Sequence, residues 1–142
     1  MDFFNYKRRP TIDVLVGNIM MGGNHPVVIQ TMTNTNTLDT EASVAQCERI
    51  IASVSSVLVL VIVGVREANN LREIHRQLRE KGYAIPLSAD IHFNPRAAEV
   101  AATIAEKVRI NPGNYVDKQK TFAELEYTEE EYAAELDKIR AK

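Results

Sequence analysis

Val57-Leu58-Val59-Leu60-Val61-Ile62-Val63 runs through seven β-branched or leucine residues without a polar break. A surface helix would show polar residues at every turn, and a half-buried strand would alternate. An unbroken run of this length fits a strand covered on both faces, as in a parallel sheet. Reading outward finds the same unit again. Downstream, Leu71, Ile74 and Leu78 share one helix face, with Lys81-Gly82 as the stop. A third strand follows from Ile85 to Ile91. Asn94-Pro95 reads as a helix cap and first helical residue, opening a helix through Val100 and Ile104. Lys107 to Ile110 is a short fourth strand, closed by Asn111-Pro112-Gly113-Asn114.

Upstream, the first main strand spans Val27 to Thr33. Leu38-Asp39-Thr40-Glu41 then opens a helix whose apolar face is Val44, Cys47 and Ile50/Ile51. Before it, TIDVLVGN and HPVVIQTM flank Met20-Met21-Gly22-Gly23, which predicts a β-hairpin over about residues 11–29 turning at the two glycines. A last helix starts at Thr128, where Glu131 completes a capping box, and presents Tyr132, Leu136 and Ile139. The four main strands begin near residues 27, 57, 85 and 107, with a helix after each of the first three. That repeat implies an α/β fold with a parallel sheet. Two architectures satisfy it: a free-standing doubly wound sheet, or half of a (β/α)8 barrel, whose eight units take about 250 residues. Spacing alone leaves both open.

Composition narrows the class of protein. The 142 residues are 45% hydrophobic and 25% charged, a globular balance that excludes disordered and low-complexity chains. A net charge of −2 gives no electrostatic case for nucleic acid. The single cysteine, Cys47, can form no internal disulfide and fits a reducing cytoplasm; its helical spacing marks it as core. The N-terminus, MDFFNYKRRP, is too polar for a signal peptide. The longest uncharged run, Ile50 to Val65, has 16 residues including three serines, short of the roughly 20 apolar residues that span a membrane.

Polar residues gather where the strands end, and ligands bind at the C-terminal ends of parallel strands. Gln30 to Thr37, Ser88 to Asn94 and Arg109 to Asn114 are these ends. Alternation puts Asp90 and His92 on one face of their strand and Arg109 and Asn111 on one face of theirs, with Ala89/Ile91 and Val108/Ile110 on the apolar sides. Thr33 to Thr37 are either ligand-facing or simply turn formers and caps. Asp90 and His92 make an incomplete metal pair; a carboxylate orienting a histidine, or two groups bonding a substrate hydroxyl, are the stronger readings. Arg109 needs an anion if buried. That anion is either a phosphate, with the amides of Gly113 and Asn114 beside it, or Asp90 itself. His25 reads as a turn residue and His75 as a surface helix residue.

Three of these stretches, QTMTNTNT, ADIHFNPRAA and VRINPGNYVD, closely resemble the N-terminal part of the 4-hydroxy-3-methylbut-2-enyl diphosphate synthase family. GVREANNL and the basic stretch before the first strand do so too, and KTFAELEYTEEEYAAEL resembles the longer form of that family; the likeness runs from about Arg8 to Lys142. The resemblance implies the barrel: an N-terminal half of a TIM barrel over residues 1–142, preceded by the hairpin, with later strands and an iron–sulfur domain not in this chain. It implies an oxidoreductase of non-mevalonate isoprenoid synthesis. Such an enzyme reductively opens 2-C-methyl-D-erythritol 2,4-cyclodiphosphate with electrons from ferredoxin or flavodoxin, and works as a homodimer. Carried over by motif, Arg109 and Asn111 are diphosphate-side residues, Asp90 and His92 line the same pocket, and Gln30 and Thr33 lie at its rim; Asn114 joins them through the amide beside Arg109 read above. The family's [4Fe-4S] cluster sits on three cysteines and a glutamate, none of which is Cys47.

Two departures from the family follow. The cluster ligands are absent from this chain, so alone it is expected to be inactive. The second strand also carries valine at the apparent position of a diphosphate-binding arginine, Val59, after an Ala52-Ser53-Val54-Ser55-Ser56 segment that lacks the usual glycine and acidic residue. One lost charged donor is worth about 1.5–3 kcal/mol. A non-catalytic phosphate-binding or interaction scaffold is therefore the rival reading, and pairing of two copies through open sheet edges is a third.

Overall fold

A computed structural model describes residues 9–53, 56–62, 64–115 and 126–141. Outside this set lie part of the basic N-terminal stretch, Val63, residues 54–55 and most of the tail motif before Glu126, together with the side chains of Val57, Leu58, Val59, Val61, Asn114 and Ile139.

The hairpin forms, but not where the glycine pair suggests. β1 (Val14–Val16) pairs antiparallel with β2 (Ile19–Met21), and Val16 faces Ile19 across a two-residue turn at Gly17-Asn18. Gly17 takes φ +59°, the positive value that the first position of a tight hairpin turn needs. Gly22 and Gly23 come after β2 and serve close approach instead. A Cβ on Gly22 would stand 2.2 Å from the Ile12 carbonyl oxygen, and Gly23 N–H donates to Thr11 Oγ1 at 2.8 Å. The segment His25–Met32 takes no part in this hairpin.

β3 (Gln30–Met32), β4 (Val57–Ile62), β5 (Leu87–Ile91) and β6 (Lys107–Arg109) make one parallel sheet in the order β3-β4-β5-β6. Strand order follows chain order with no reversal, which is the arrangement of a barrel wall and not of a doubly wound sheet with its switch point. β3 is shorter than the expected Val27 to Thr33, and Val27 and Ile29 are exposed ahead of it.

Between the strands run α1 (Thr40–Ile51), α2 (Val65–Glu80) and α3 (Pro95–Ala102). Asp39 caps α1 by accepting from Ala42 N at 3.0 Å, and Asn94 caps α3 by accepting from Ala97 N at 3.1 Å. α2 stops at Lys81 and Gly82, the latter at φ +85°. α1 packs on α2 and α2 on α3, so the three lie side by side on one face of the sheet. Between helices and sheet is a single core: Val44 and Cys47 of α1, Leu71, Ile74 and Leu78 of α2, Ala97 and Ala101 of α3, and Leu60, Ile62, Leu87, Ala89 and Ile91 of the strands. The inward alternation expected for Val108 holds, since it packs partly buried against this core. Ile110 lies past the end of the edge strand β6 and is exposed.

After β6 the expected Asn-Pro-Gly-Asn closure is one helical turn, α4 (Pro112–Tyr115), with proline first, where its missing N–H costs nothing. α5 (Glu129–Arg140) begins with the capping box read from the sequence: Thr128 N–H donates to Glu131 Oε2 at 2.9 Å and Glu131 N–H to Thr128 Oγ1 at 3.3 Å. Tyr132 stands exposed on this helix.

Candidate functional site

Register sets the levels of the site. Val61, Asp90 and Arg109 are Cα partners across β4, β5 and β6. Two residues lower lies the level of Met32, Val59, Ser88 and Lys107. Because helices cover the Leu60/Ala89/Val108 side, these alternate residues belong to the opposite face, the concave one of a barrel.

On the upper level Asp90 and Arg109 are joined. Arg109 Nη1 donates to Asp90 Oδ1 at 2.7 Å and to Oδ2 at 2.8 Å. His92 Nε2 stands 3.5 Å from Asp90 Oδ2. The Asp90 side chain is 4% exposed, Arg109 57% and His92 43%. The salt bridge open in the sequence is therefore present, and Arg109 is not a buried cation: its guanidinium reaches the mouth while its carboxylate partner is under cover. Asn111 follows on the exposed rim just beyond β6. The backbone of Asn114 lies in α4, next along the chain.

His92 is also where the chain turns off the sheet. Its N–H still donates to Ile62 O at 3.3 Å, and Phe93 then adopts φ +52°. Among the described residues Phe93 is the one non-glycine with positive φ, and its ring is half exposed. Backbone strain of this kind concentrates at functional sites.

Gln30 is not at this level. It pairs with Val57, four residues below the Asp90–Arg109 level as measured along β4, and Lys107 Nζ donates to its Oε1 at 2.9 Å. The motif-based placement of Gln30 at the rim is thus corrected: it stands exposed at a lower level of the same face, bonded by a lysine reaching over from the opposite edge strand. Thr33 is buried immediately after β3.

The loop after β3 is built by partners that the sequence did not single out. Gln46 of α1 accepts from Asn34 N–H at 3.0 Å and Thr35 N–H at 3.1 Å, and its Nε2 donates to Asn34 Oδ1 at 2.6 Å. Ser43 Oγ lies 3.1 Å from Thr35 Oγ1 and donates to Asn36 O at 3.2 Å. Asn70 of α2 donates to Thr37 O at 2.8 Å. Asn36 Oδ1 accepts from Leu38 N–H at 3.0 Å, a turn-forming bond. Asn34, Thr35 and Asn36 are thus used in shaping the loop. The available signal was Ser43 and Gln46, two polar residues interrupting the apolar face of α1 at helical spacing.

At the other end of the sheet Glu106 gathers three donors: Leu87 N–H at 2.8 Å, Arg79 Nη2 at 2.8 Å and His75 Nε2 at 3.0 Å. Burial pushes against ionisation of Glu106, but the bonds from Leu87, His75 and Arg79 outweigh it and hold the carboxyl below its ordinary value. His75 is accordingly not a bare surface residue. Conservation at this lower face of barrels serves stability, whereas the upper face carries chemistry.

No group of three or more His, Cys, Asp or Glu able to hold a metal occurs among the described residues. Cys47 lies in the core, its thiol pushed up to about 11 by burial and by Glu48 beside it. One buried thiol with no companions does not fit an iron–sulfur cluster.

An ordered parallel wall of βα units, with helices on its outer face and a polar cluster at the C-terminal ends of its strands, defines part of a (β/α)8 barrel. The chain belongs to the GcpE TIM-barrel domain family, which it matches over residues 11–135. Its similar relatives include the 4-hydroxy-3-methylbut-2-en-1-yl diphosphate synthase (flavodoxin) of Phocaeicola vulgatus, 58% identical over 142 residues, all of this chain and 23% of that protein. The protein of the same name from Bacteroides fragilis is 59% identical over 140 residues, 99% of this chain and 22% of the relative. That of Chlorobaculum tepidum is 43% identical over 137 residues, 96% and 18% respectively. The chain thus spans just under a quarter of the length of the first two relatives.

Proposed function

We propose that the chain is the substrate-binding portion of an oxidoreductase that reductively opens 2-C-methyl-D-erythritol 2,4-cyclodiphosphate to 4-hydroxy-3-methylbut-2-enyl diphosphate. The observation that carries this reading is the Asp90–Arg109–His92 cluster at the strand ends of a chain belonging to the GcpE TIM-barrel domain family. Arg109 offers a guanidinium at the mouth, suited to phosphate. Asn111 on the rim and His92 beside Asp90 are polar groups for the rest of the ligand, with Asn114 nearby and Thr33 contributing from the β3 side. Residues 1–142 then form a partial barrel. The later strands and the domain with the [4Fe-4S] cluster belong to a longer polypeptide, acting as a cytoplasmic homodimer. When bound, the cluster would supply electrons to the ring-opening; no residue of this chain is assigned to hold it. The name of the relatives, a flavodoxin-type synthase, supports flavodoxin over ferredoxin as the donor. On this reading the chain by itself binds the cyclodiphosphate without turning it over.

Calorimetric titration with the cyclodiphosphate tests the reading. Binding by the chain, weakened about ten- to a hundredfold in Arg109→Lys, supports it. Equal affinity in the two proteins overturns the role of Arg109. The rival reading is a phosphate-binding or interaction scaffold without catalysis, favoured by valine at position 59. It predicts no preference for the cyclodiphosphate over inorganic pyrophosphate.

A further inference from the structure

We infer that Asp90 is a positioning residue, which fixes Arg109 toward the ligand and does not itself touch it. The inference rests on the diphosphate reading above and revises the part that Asp90 plays in it.

Three observations carry it. First, Asp90 is the one buried carboxylate among the described residues, and both of its oxygens are taken by a single nitrogen, Arg109 Nη1. No described residue bonds Nη2 or Nε of the same guanidinium, which is 57% exposed, so the carboxylate secures the group through Nη1. Second, the arrangement follows from strand register. Asp90 and Arg109 are direct partners on neighbouring parallel strands, roughly 4.8 Å apart, and His92 is two residues further along the same face of Asp90. One carboxylate therefore holds the guanidinium through both oxygens, with the His92 ring 3.5 Å from Oδ2. Third, the hydroxyl one level below does not share in it. Ser88 Oγ is buried with no hydrogen-bond partner, although Ser88 is two residues from Asp90 on the same face. The hydrogen bonds that Asp90 accepts come instead from Arg109 on the level above.

The phosphates of the proposed ligand would be repelled by a carboxylate that met them directly; Asp90 is 4% exposed and bonded to Arg109, so the guanidinium is the group of the pair that stands at the mouth. An arginine already held in place loses less rotamer freedom when a phosphate arrives, and this is how a residue that never meets the ligand strengthens its binding.

The test compares the full chain with Asp90→Asn, Arg109→Ala and the double variant, checking each for its native circular dichroism. The first measurement is calorimetric titration with the cyclodiphosphate. Asp90→Asn is expected to bind about tenfold more weakly, and the double variant no more weakly than Arg109→Ala alone. Unchanged or tighter binding by Asp90→Asn overturns the inference, as does an additive loss in the double variant, which would mean direct contact with the ligand. The second measurement needs no ligand. Nitrogen-resolved NMR of the Arg109 guanidinium should show hindered rotation about its terminal bonds in the wild type and free averaging in Asp90→Asn. Identical spectra overturn the positioning role whatever binds. If the wild type and Arg109→Ala bind the cyclodiphosphate alike while the spectra differ, the diphosphate reading fails and the positioning role stands.

Discussion

Glu106 and Arg79 meet at 2.8 Å across the lower end of the sheet, tying the last turn of α2 to the start of β6. The same arginine donates from Nη1 to Tyr83 O at 2.6 Å and Ile85 O at 3.1 Å, so the turn leading into β5 is gathered into the same knot. Glu106→Gln keeps the shape but turns an amide N–H₂ toward at least one of three donors. We expect a loss of about 2 kcal/mol by urea denaturation. Glu106 is held below its ordinary value of about 4.5. Its stabilisation is therefore full above that value and fades as the pH falls through the lowered folded-state value. Between pH 6 and pH 3 the wild type should lose more stability than Glu106→Gln; parallel pH dependences would refute this.

Cys47 gives a readout of the core. With its thiol buried and its pKa pushed up to about 11, the native chain should resist iodoacetamide at pH 8, while the urea-unfolded chain alkylates freely. Rapid alkylation under native conditions would show that α1 opens away from the sheet.

Gly17 is fixed by both conformation and space. At φ +59°, a Cβ would also lie 3.0 Å from Pro86 Cγ. Gly17→Ala should cost about 1–2 kcal/mol in thermal unfolding, and Gly17→Asn less, since asparagine tolerates left-handed backbone. Equal melting of all three proteins would remove the hairpin turn as the cause.

Gln46 decides the order of the loop after β3. Gln46→Ala strips the acceptor from two backbone amides, and hydrogen exchange at Asn34 and Thr35 should accelerate at least tenfold while the β5 amides keep their protection. Unaltered exchange would assign the order of that loop to Ser43 and Asn70.

How far these elements were legible depended on the kind of force behind them. The βα repeat was readable because burial imposes period: Leu71, Ile74 and Leu78 reach the core as spaced, and the caps at Asp39, Asn94 and Thr128 sit where short polar side chains serve free helix amides. The hairpin turn was misplaced because Gly22-Gly23 is a stronger local signal than Gly17-Asn18. What demands the pair is a through-space approach to Ile12 and Thr11, which no local pattern encodes. The choice between barrel and doubly wound sheet rested on strand order, a non-local property; only the likeness of QTMTNTNT and its companions to a family supplied it in advance. In the site, alternation put Asp90 with His92 correctly but left the partner of Arg109 open, since register between β5 and β6 is not written in either strand. Gln30 was placed too high for the same reason.

The bond from Lys107 to Gln30 joins residues 77 positions apart in the chain, and between them lie all three βα crossovers. Closing so long a segment costs roughly 4 kcal/mol in chain entropy, more than one exposed hydrogen bond returns. The contact cannot start folding. It can form only once the intervening units have bent the sheet and carried its first and last strands toward each other. In kinetic language it is a completion signal: a pair of probes on these two residues would report the final step of assembly, after the helices have docked and the core has lost its water.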